Sequence, residues 1–143
     1  MTEATREVVV TGDGVALRQD IACGPNRWSA DEPASNGGTD AGPGAHELLL
    51  SALGACTSIT LTLYAKRKGW PLAGISVRLR HERVDGPSGI ATRIDREIAL
   101  RGALSDEQRQ RLLAIAERCP VHRTLTGTIA IESRLAAPDP ATV

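Results

Sequence analysis

The sequence has almost no aromatic residues: phenylalanine is absent, and aromatic residues make up 2% of the chain. Hydrophobic residues still amount to 41%, so a core must be built mainly from leucine, isoleucine, valine and alanine. An excess of charge is also missing, because 17 lysine and arginine residues balance 17 aspartate and glutamate residues. Without a basic run, this balance argues against a general nucleic-acid-binding protein.

Targeting and anchoring segments are not predicted either. Residues 1–10 are too polar to contain the apolar region of a signal peptide. A membrane-spanning helix needs about 20 predominantly apolar residues, whereas the most apolar stretch, residues 47–68, is interrupted by small and hydroxylated residues. We therefore expect a cytoplasmic protein without a membrane partner. Its three cysteines are then not a disulfide scaffold, which favours a redox, catalytic or metal-binding role for them.

The pattern along the 143 residues predicts a single α+β domain over residues 1–143. Short β-branched runs separated by glycine-containing turns predict a three-stranded antiparallel meander over residues 1–31. A loop rich in glycine and proline follows over residues 32–46, and loops of this length tend to be functional. A long central helix is predicted over residues 47–68, because Glu47 lies in its first turn and Gly69 stops it.

The second half of the chain predicts a β-hairpin, a second helix and a final strand. Alternating polar and apolar residues at 75–84 and 93–100 form the hairpin, and Ser105 opens the helix with a capping-box glutamine. Alternation over residues 128–135 predicts the final strand, and residues 136–143 a flexible tail. The central helix is apolar on most faces, so it needs cover from a sheet and from a second chain.

Cys56 lies in the middle of the central helix among small residues, which leave space around its sulfur. A buried structural cysteine is an equally good interpretation, because free cysteine is among the most buried residue types. A reactive thiol in mid-helix would need a neighbouring cation to lower its pKa. Cys119 precedes Pro120, which is favoured at the first helical position, so Cys119 can cap a short helix whose dipole favours a thiolate. Cys23, before a Gly-Pro turn, is interpreted as incidental.

Two other arrangements remain open. Cys119 and His122 have C-x-x-H spacing and could bind a metal together with Cys56, although structural zinc sites need four ligands. Glu47 precedes Cys56 by nine residues, which places it on the opposite side of a straight helix and about 13 Å away along the axis. Glu47 could therefore serve the thiol only from a bent helix start or from a partner subunit. Otherwise it is an ordinary negative charge at a helix N-terminus.

Four stretches of the chain resemble the OsmC/Ohr superfamily of thiol peroxidases. They are ADEP at 30–33, GGTDAGP at 37–43, ELLLSALGACTSITLTLYAKRKGWPL at 47–72 and LSDEQRQRLLAIAERCPVHRTL at 104–125. The resemblance implies an α+β fold and an intertwined homodimer with both active sites at the interface. It also implies a peroxiredoxin-like, dithiol-dependent reduction of organic hydroperoxides or hydrogen peroxide. The chain departs from similar proteins before Glu47, where Ala45 and His46 replace a proline and an aromatic residue.

The resemblance also assigns roles to residues by position. It implies that Cys56 is the peroxidatic cysteine, Cys119 the resolving cysteine and Glu47 an active-site glutamate. The family's catalytic arginine lies in the N-terminal strands, where Arg18 is the first choice and Arg27 the second. An external dithiol, for which the family suggests a lipoylated protein, would reduce the Cys56–Cys119 disulfide, and no metal or organic cofactor is expected. The rival hypothesis is a non-catalytic dimeric domain with inert cysteines and a small hydrophobic ligand in its interfacial pocket.

Overall fold

The structure, a computed structural model, describes residues 6–138 and consists of two antiparallel sheets and three α-helices. The strands are β1 (Val8–Thr11), β2 (Gln19–Cys23), β3 (Asn26–Ala30), β4 (Leu72–Gly86) and β5 (Gly89–Gly102). The helices are α1 (Ala45–Lys68), α2 (Asp106–Ala116) and α3 (Pro120–Thr126). This order confirms the predicted α+β class with a meander, a long helix, a hairpin and a second helix. Residues 1–5, on which part of the signal-peptide argument rests, and residues 139–143 of the expected tail lie outside the described residues.

The meander has the predicted strand order β1-β2-β3. Its first turn is stabilised by Asp13, whose carboxylate accepts hydrogen bonds from the backbone N–H groups of Val15 at 2.8 Å and Ala16 at 2.9 Å. Such local bonds are the reason that aspartate favours turns. Of the described meander residues only Ile21 has a buried apolar side chain. The meander therefore contributes little to the core of a single chain.

Helix α1 begins two residues earlier than predicted and continues without a break to Lys68. Gly69 ends it in the left-handed conformation (φ 70°), as the sequence predicts for a glycine at this position. A Cβ atom on Gly54 would lie 2.8 Å from Leu79 Cδ1. The absence of a side chain at Gly54 thus lets α1 approach β4 closely.

The core lies between one side of α1, the hairpin and α2. Its central residues are Leu61, Tyr64, Leu112, Ile115 and Ala116. The opposite side of α1 is not covered by any other part of residues 6–138, and Ile59 is 59% and Leu63 62% exposed there. Among the described residues, α1 alone is long and apolar enough to cross a membrane, but the central helix of a compact protein meets the same test.

Residues 128–135 do not form the predicted final strand. The alternation is present, but Ile129, Ile131 and Leu135 are exposed, and no described strand pairs with this segment. A strand needs a neighbour that satisfies its backbone N–H and C=O groups. For a single chain, the prediction of a strand here is therefore wrong, because an alternating pattern does not supply that neighbour.

Candidate functional site

Two cysteines that are distant in the sequence both lie at the start of α3. Cys56 projects from the middle of α1, and Cys119 is the N-cap of α3, with Pro120 at the first helical position as the sequence predicts. The backbone N–H of Val121 donates to Cys56 Sγ at 3.5 Å, and that of His122 donates to Cys119 Sγ at 3.3 Å. Both sulfurs therefore face consecutive amides of one helical turn, and both thiols are free.

The surroundings of Cys119 are polar although its side chain is fully buried. Cys119 Sγ lies 4.0 Å from Thr57 Oγ1, one residue after Cys56 on α1. The Thr57 hydroxyl donates to the carbonyl of Leu53 at 2.7 Å and accepts a hydrogen bond from Arg96 Nη1 at 3.0 Å. A guanidinium on β5 is thus connected to Cys119 through one hydroxyl group.

The other end of this guanidinium is bound to a histidine. Arg96 Nη2 lies 3.1 Å from His122 Nδ1, and His122 Nε2 lies 3.0 Å from Glu117 Oε2. Because arginine can only donate, Nδ1 must accept, and the ring proton belongs on Nε2, from which it is donated to Glu117. The arrangement therefore places a neutral imidazole between a cation and a carboxylate.

Arg96, Thr57 and Glu117 were not singled out from the sequence. The signal for Arg96 is present, because Ile94, Arg96 and Ile98 share one face of an alternating strand. An arginine among isoleucines on the half-buried face is unusual, since arginine is rarely buried without a partner. Thr57 and Glu117 carry no comparable signal, because their roles depend on contacts between elements.

The arginines and the glutamate that the sequence suggested lie elsewhere in a single chain. Arg18 is half-exposed and pairs with Asp20 at 3.3 Å, and Arg27 donates to backbone carbonyls of its own turn. The Glu47 carboxylate accepts the N–H of Gly44 at 3.3 Å and lines a separate cavity of about 460 Å³ between α1 and β4. Within residues 6–138, none of these three residues forms a hydrogen bond with either thiol.

The suggested metal ligands do not form a cluster. Both ring nitrogens of His122 are engaged, by Arg96 and by Glu117. In the part of the chain that the structure describes, no group of three or more histidine, cysteine, aspartate and glutamate residues is placed to hold a metal ion. His46 and His81 are exposed, as expected, and their rings stack with centroids 5.1 Å apart.

Asp31 organises the loop that precedes α1. Its buried carboxylate accepts hydrogen bonds from Thr39 Oγ1 at 2.6 Å and from the backbone N–H groups of Glu32, Ala41 and Thr39. These bonds, the one from the Thr39 hydroxyl above all, hold the pKa of Asp31 well below its usual range. The Asp31 N–H also donates to the carbonyl of Pro43 at 3.0 Å, which ties β3 to the residues just before α1.

The sequence model of the family described as OsmC-like protein matches residues 37–134, a span that includes all three α-helices and both cysteines of the site. The chain belongs to the OsmC-like protein family. No curated protein matches this OsmC-like protein significantly in sequence.

Solved structures share the fold of this OsmC-like protein at low sequence identity. The OsmC-like protein of Mycoplasma pneumoniae has a TM-score of 0.74 at 20% identity, with 88% of this chain and 90% of that chain covered. For the organic hydroperoxide resistance protein OsmC of Legionella pneumophila, the values are 0.68, 17%, 89% and 93%. For the organic hydroperoxide resistance protein OhrB of Bacillus subtilis, they are 0.63, 20%, 87% and 92%. At these identities the similarity establishes the fold.

Proposed function

We propose that this protein is a thiol peroxidase that reduces organic hydroperoxides, or hydrogen peroxide, in defence against oxidative stress. The observation that carries the proposal is that Cys56 and Cys119 are free thiols facing the same turn of α3. Membership of the OsmC-like family supports it, as do fold relatives that are named organic hydroperoxide resistance proteins.

The burial of the two thiols supports the proposed order of reaction. Cys56 is half-buried and is the thiol that a peroxide can reach, whereas Cys119 is fully buried. The Cys56 thiolate attacks the outer oxygen of the peroxide, the O–O bond breaks, and a sulfenic acid forms while the alkoxide takes a proton and leaves as an alcohol. The Cys119 thiolate then attacks the Cys56 sulfur, which forms the disulfide and expels hydroxide. An external dithiol reduces the disulfide by exchange and is itself oxidised to a disulfide.

A second copy of the chain completes the proposed site. In a single chain Arg18, Arg27 and Glu47 make no hydrogen bond to the thiols in the described part of the chain, and one side of α1 is apolar and exposed. A symmetric dimer would cover that side of α1 and bring groups from the second copy to the cysteines. The proposal therefore includes a homodimer in which the second copy supplies Glu47 and either Arg18 or Arg27.

Thiol counting after a single turnover tests this function. Reduced protein is mixed with one equivalent of an alkyl hydroperoxide, and free thiols are alkylated and counted by mass spectrometry. We expect rapid loss of two of the three thiols, those of Cys56 and Cys119. The Cys56→Ser variant should lose none at that rate, whereas the matched control Cys23→Ser should still lose two. Unchanged thiols in the unmodified protein would refute the proposal and favour the rival binding domain with inert cysteines.

A further inference from the structure

The half-buried face of β5 carries Arg96. The family resemblance assigns this residue no role, and it takes no part in the proposed reaction with the peroxide. We propose that Arg96 is a positioning residue for the resolving step, in which it favours the thiolate of Cys119 through the hydroxyl of Thr57. Its role in turnover rests on the proposed function, but its effect on the Cys119 thiol does not. The chain of contacts is short: Arg96 Nη1 is 3.0 Å from Thr57 Oγ1, which is 4.0 Å from Cys119 Sγ.

The group to which the Thr57 hydroxyl donates its proton determines how Arg96 acts on Cys119. A hydroxyl has one proton to donate, and Thr57 donates it to the Leu53 carbonyl at 2.7 Å. Toward Arg96 and Cys119 the oxygen is then an acceptor, so the protonated thiol of Cys119 donates to it. When Cys119 loses its proton, the hydroxyl can turn from Leu53 to the sulfur. The guanidinium then lies one oxygen atom away from the new negative charge.

The remaining contacts hold Arg96 in this position. Its planar fork donates to Thr57 with one nitrogen and to His122 with the other, and Glu117 fixes the far side of the imidazole. Because Arg96 is half-buried, its charge is screened less than a surface charge would be. The titratable and charged groups around Cys119 come from α1, β5, the end of α2 and α3; they are Cys56, Arg96, Glu117 and His122.

This position assigns Arg96 to the second chemical step and not to the first. In the resolving step, the S–S bond forms as the S–OH bond of Cys56 sulfenic acid breaks. The hydroxide takes up the proton that Cys119 released when it ionised, and leaves as water. Only the thiolate form of Cys119 attacks. The hydrogen bonds of Arg96 lead to Cys119, whereas Cys56 Sγ accepts from the backbone of Val121. Loss of Arg96 should therefore slow disulfide formation and leave the oxidation of Cys56 unchanged.

A titration that needs no peroxide tests the effect on the thiol. In a Cys23→Ser, Cys56→Ser background Cys119 is the single thiol, and its thiolate is followed by ultraviolet absorbance as the pH is raised. We expect Arg96→Gln to move the midpoint upward by about one pH unit, the lower end of shifts caused by a nearby opposite charge. Arg96→Lys should give an intermediate midpoint. Arg93→Gln, which alters an exposed arginine on the same strand, should not move it. An unchanged midpoint in Arg96→Gln would overturn the proposal.

A second pair of variants separates the role of the Thr57 hydroxyl from a general effect on folding. Thr57→Val removes the hydroxyl, whereas Thr57→Ser keeps it. We expect the midpoint to rise in Thr57→Val and to stay at the parent value in Thr57→Ser, with circular dichroism confirming that both variants are folded. Equal midpoints in the two variants would overturn the role of the hydroxyl even if Arg96→Gln could not be prepared.

Single-turnover kinetics on the full chain test the role in turnover. After one equivalent of alkyl hydroperoxide, Arg96→Gln should consume the Cys56 thiol at the normal rate. It should then form the disulfide about threefold more slowly, because a tenfold smaller thiolate fraction is partly offset by a more nucleophilic thiolate. Trapping with dimedone should show more sulfenic acid than in the unmodified protein. If the unmodified protein does not react, the proposed function fails while the titration still decides the effect on Cys119; if Arg96→Gln forms the disulfide at the normal rate, this inference alone fails.

Discussion

Cys56 and Cys119 reach the same turn of α3 but lie in different surroundings. Cys119 is fully buried and is bordered by the Thr57 hydroxyl and the N–H of His122. Cys56 is half-buried, and its hydrogen bond comes from the backbone of Val121. Thiols that sense peroxides are typically accessible and next to a second cysteine that resolves them. These surroundings agree with the proposed order of reaction, in which Cys56 reacts with the peroxide and the buried Cys119 reacts second.

Asp31 should make the stability of the protein depend on pH. Its pKa is lowered in the folded state by the Thr39 hydroxyl and by backbone N–H groups, so the stabilisation is present above its unfolded value of about 3.9 and is lost as the pH falls toward the folded value. We expect Asp31→Asn to unfold at a lower temperature at neutral pH, because an amide cannot accept all four bonds. Its melting temperature should also fall less between about pH 6 and pH 3 than that of the unmodified protein.

Thermal unfolding followed by circular dichroism at several pH values provides the measurement. Asp95→Asn is the matched control, because Asp95 is an exposed carboxylate on β5. Its melting temperature should follow the same pH dependence as that of the unmodified protein. Parallel curves for Asp31→Asn and the unmodified protein would show that the Asp31 hydrogen bonds do not contribute to this dependence.

At the level of single residues, the sequence singled out Cys56 and Cys119 but not Arg96 on β5, which donates hydrogen bonds to α1 and α3. Cys119 could be placed at a helix start because Pro120 follows it directly, which is local information. Arg96 reaches Thr57 only after β5 has packed against α1 and α3, and no spacing within the sequence reports that packing. For the same reason Arg18 and Arg27 could be named from the resemblance but not connected to the thiols.

Element boundaries were predictable wherever the hydrogen bonds that end an element are local. Ser105 accepts the N–H of Gln108 at 3.1 Å, and the Gln108 side chain accepts the N–H of Ser105 at 2.9 Å, so the predicted capping box starts α2. Gly69 ends α1 in the same local way. The prediction of a strand over residues 128–135 was wrong for a single chain, because the partner strand would have to come from a distant part of the chain or from a second chain.

At the scale of helices and strands, a substitution of Gly54 tests the packing of α1 against β4. A Cβ atom there would lie 2.8 Å from Leu79 Cδ1, which is the flexible end of a side chain. Gly54→Ala should be nearly neutral, since displacing one methyl group is offset by a helix propensity gain of about 1 kcal/mol. Gly54→Val has no room for its branches and should lower the free energy of unfolding by about 1–3 kcal/mol.

Urea unfolding monitored by circular dichroism measures both variants. Ser51→Val, at an exposed position one turn earlier in α1, controls for the effect of a branched residue on the helix itself and should change stability by less than about 0.5 kcal/mol. A Gly54→Val protein as stable as the unmodified one would show that the close approach of α1 to β4 does not depend on Gly54.

At the scale of the whole molecule, residues 6–138 of a single chain leave three apolar surfaces exposed. They are the valines of β1, the outer side of α1 and the alternating segment at residues 128–135. Contiguous exposed apolar surfaces usually mark an interface. The unpaired segment also needs a strand beside it before its backbone groups can bond within a sheet. A second copy of the chain would meet both requirements, and this supports the proposed homodimer.

Ile59, at the centre of the outer side of α1, provides the test of that assembly. We expect the unmodified protein to sediment as a dimer of two 15.1 kDa chains and Ile59→Glu as a 15.1 kDa monomer, because a buried unpaired carboxylate is costly. Ile90→Glu, at an isoleucine near the hairpin turn that is even more exposed than Ile59, should remain dimeric. The monomer should lose peroxide reduction, because in the proposed dimer the second copy supplies Glu47 and the N-terminal arginine. A dimeric Ile59→Glu, or a monomeric variant with full activity, would show that the interface or the shared site is wrongly placed.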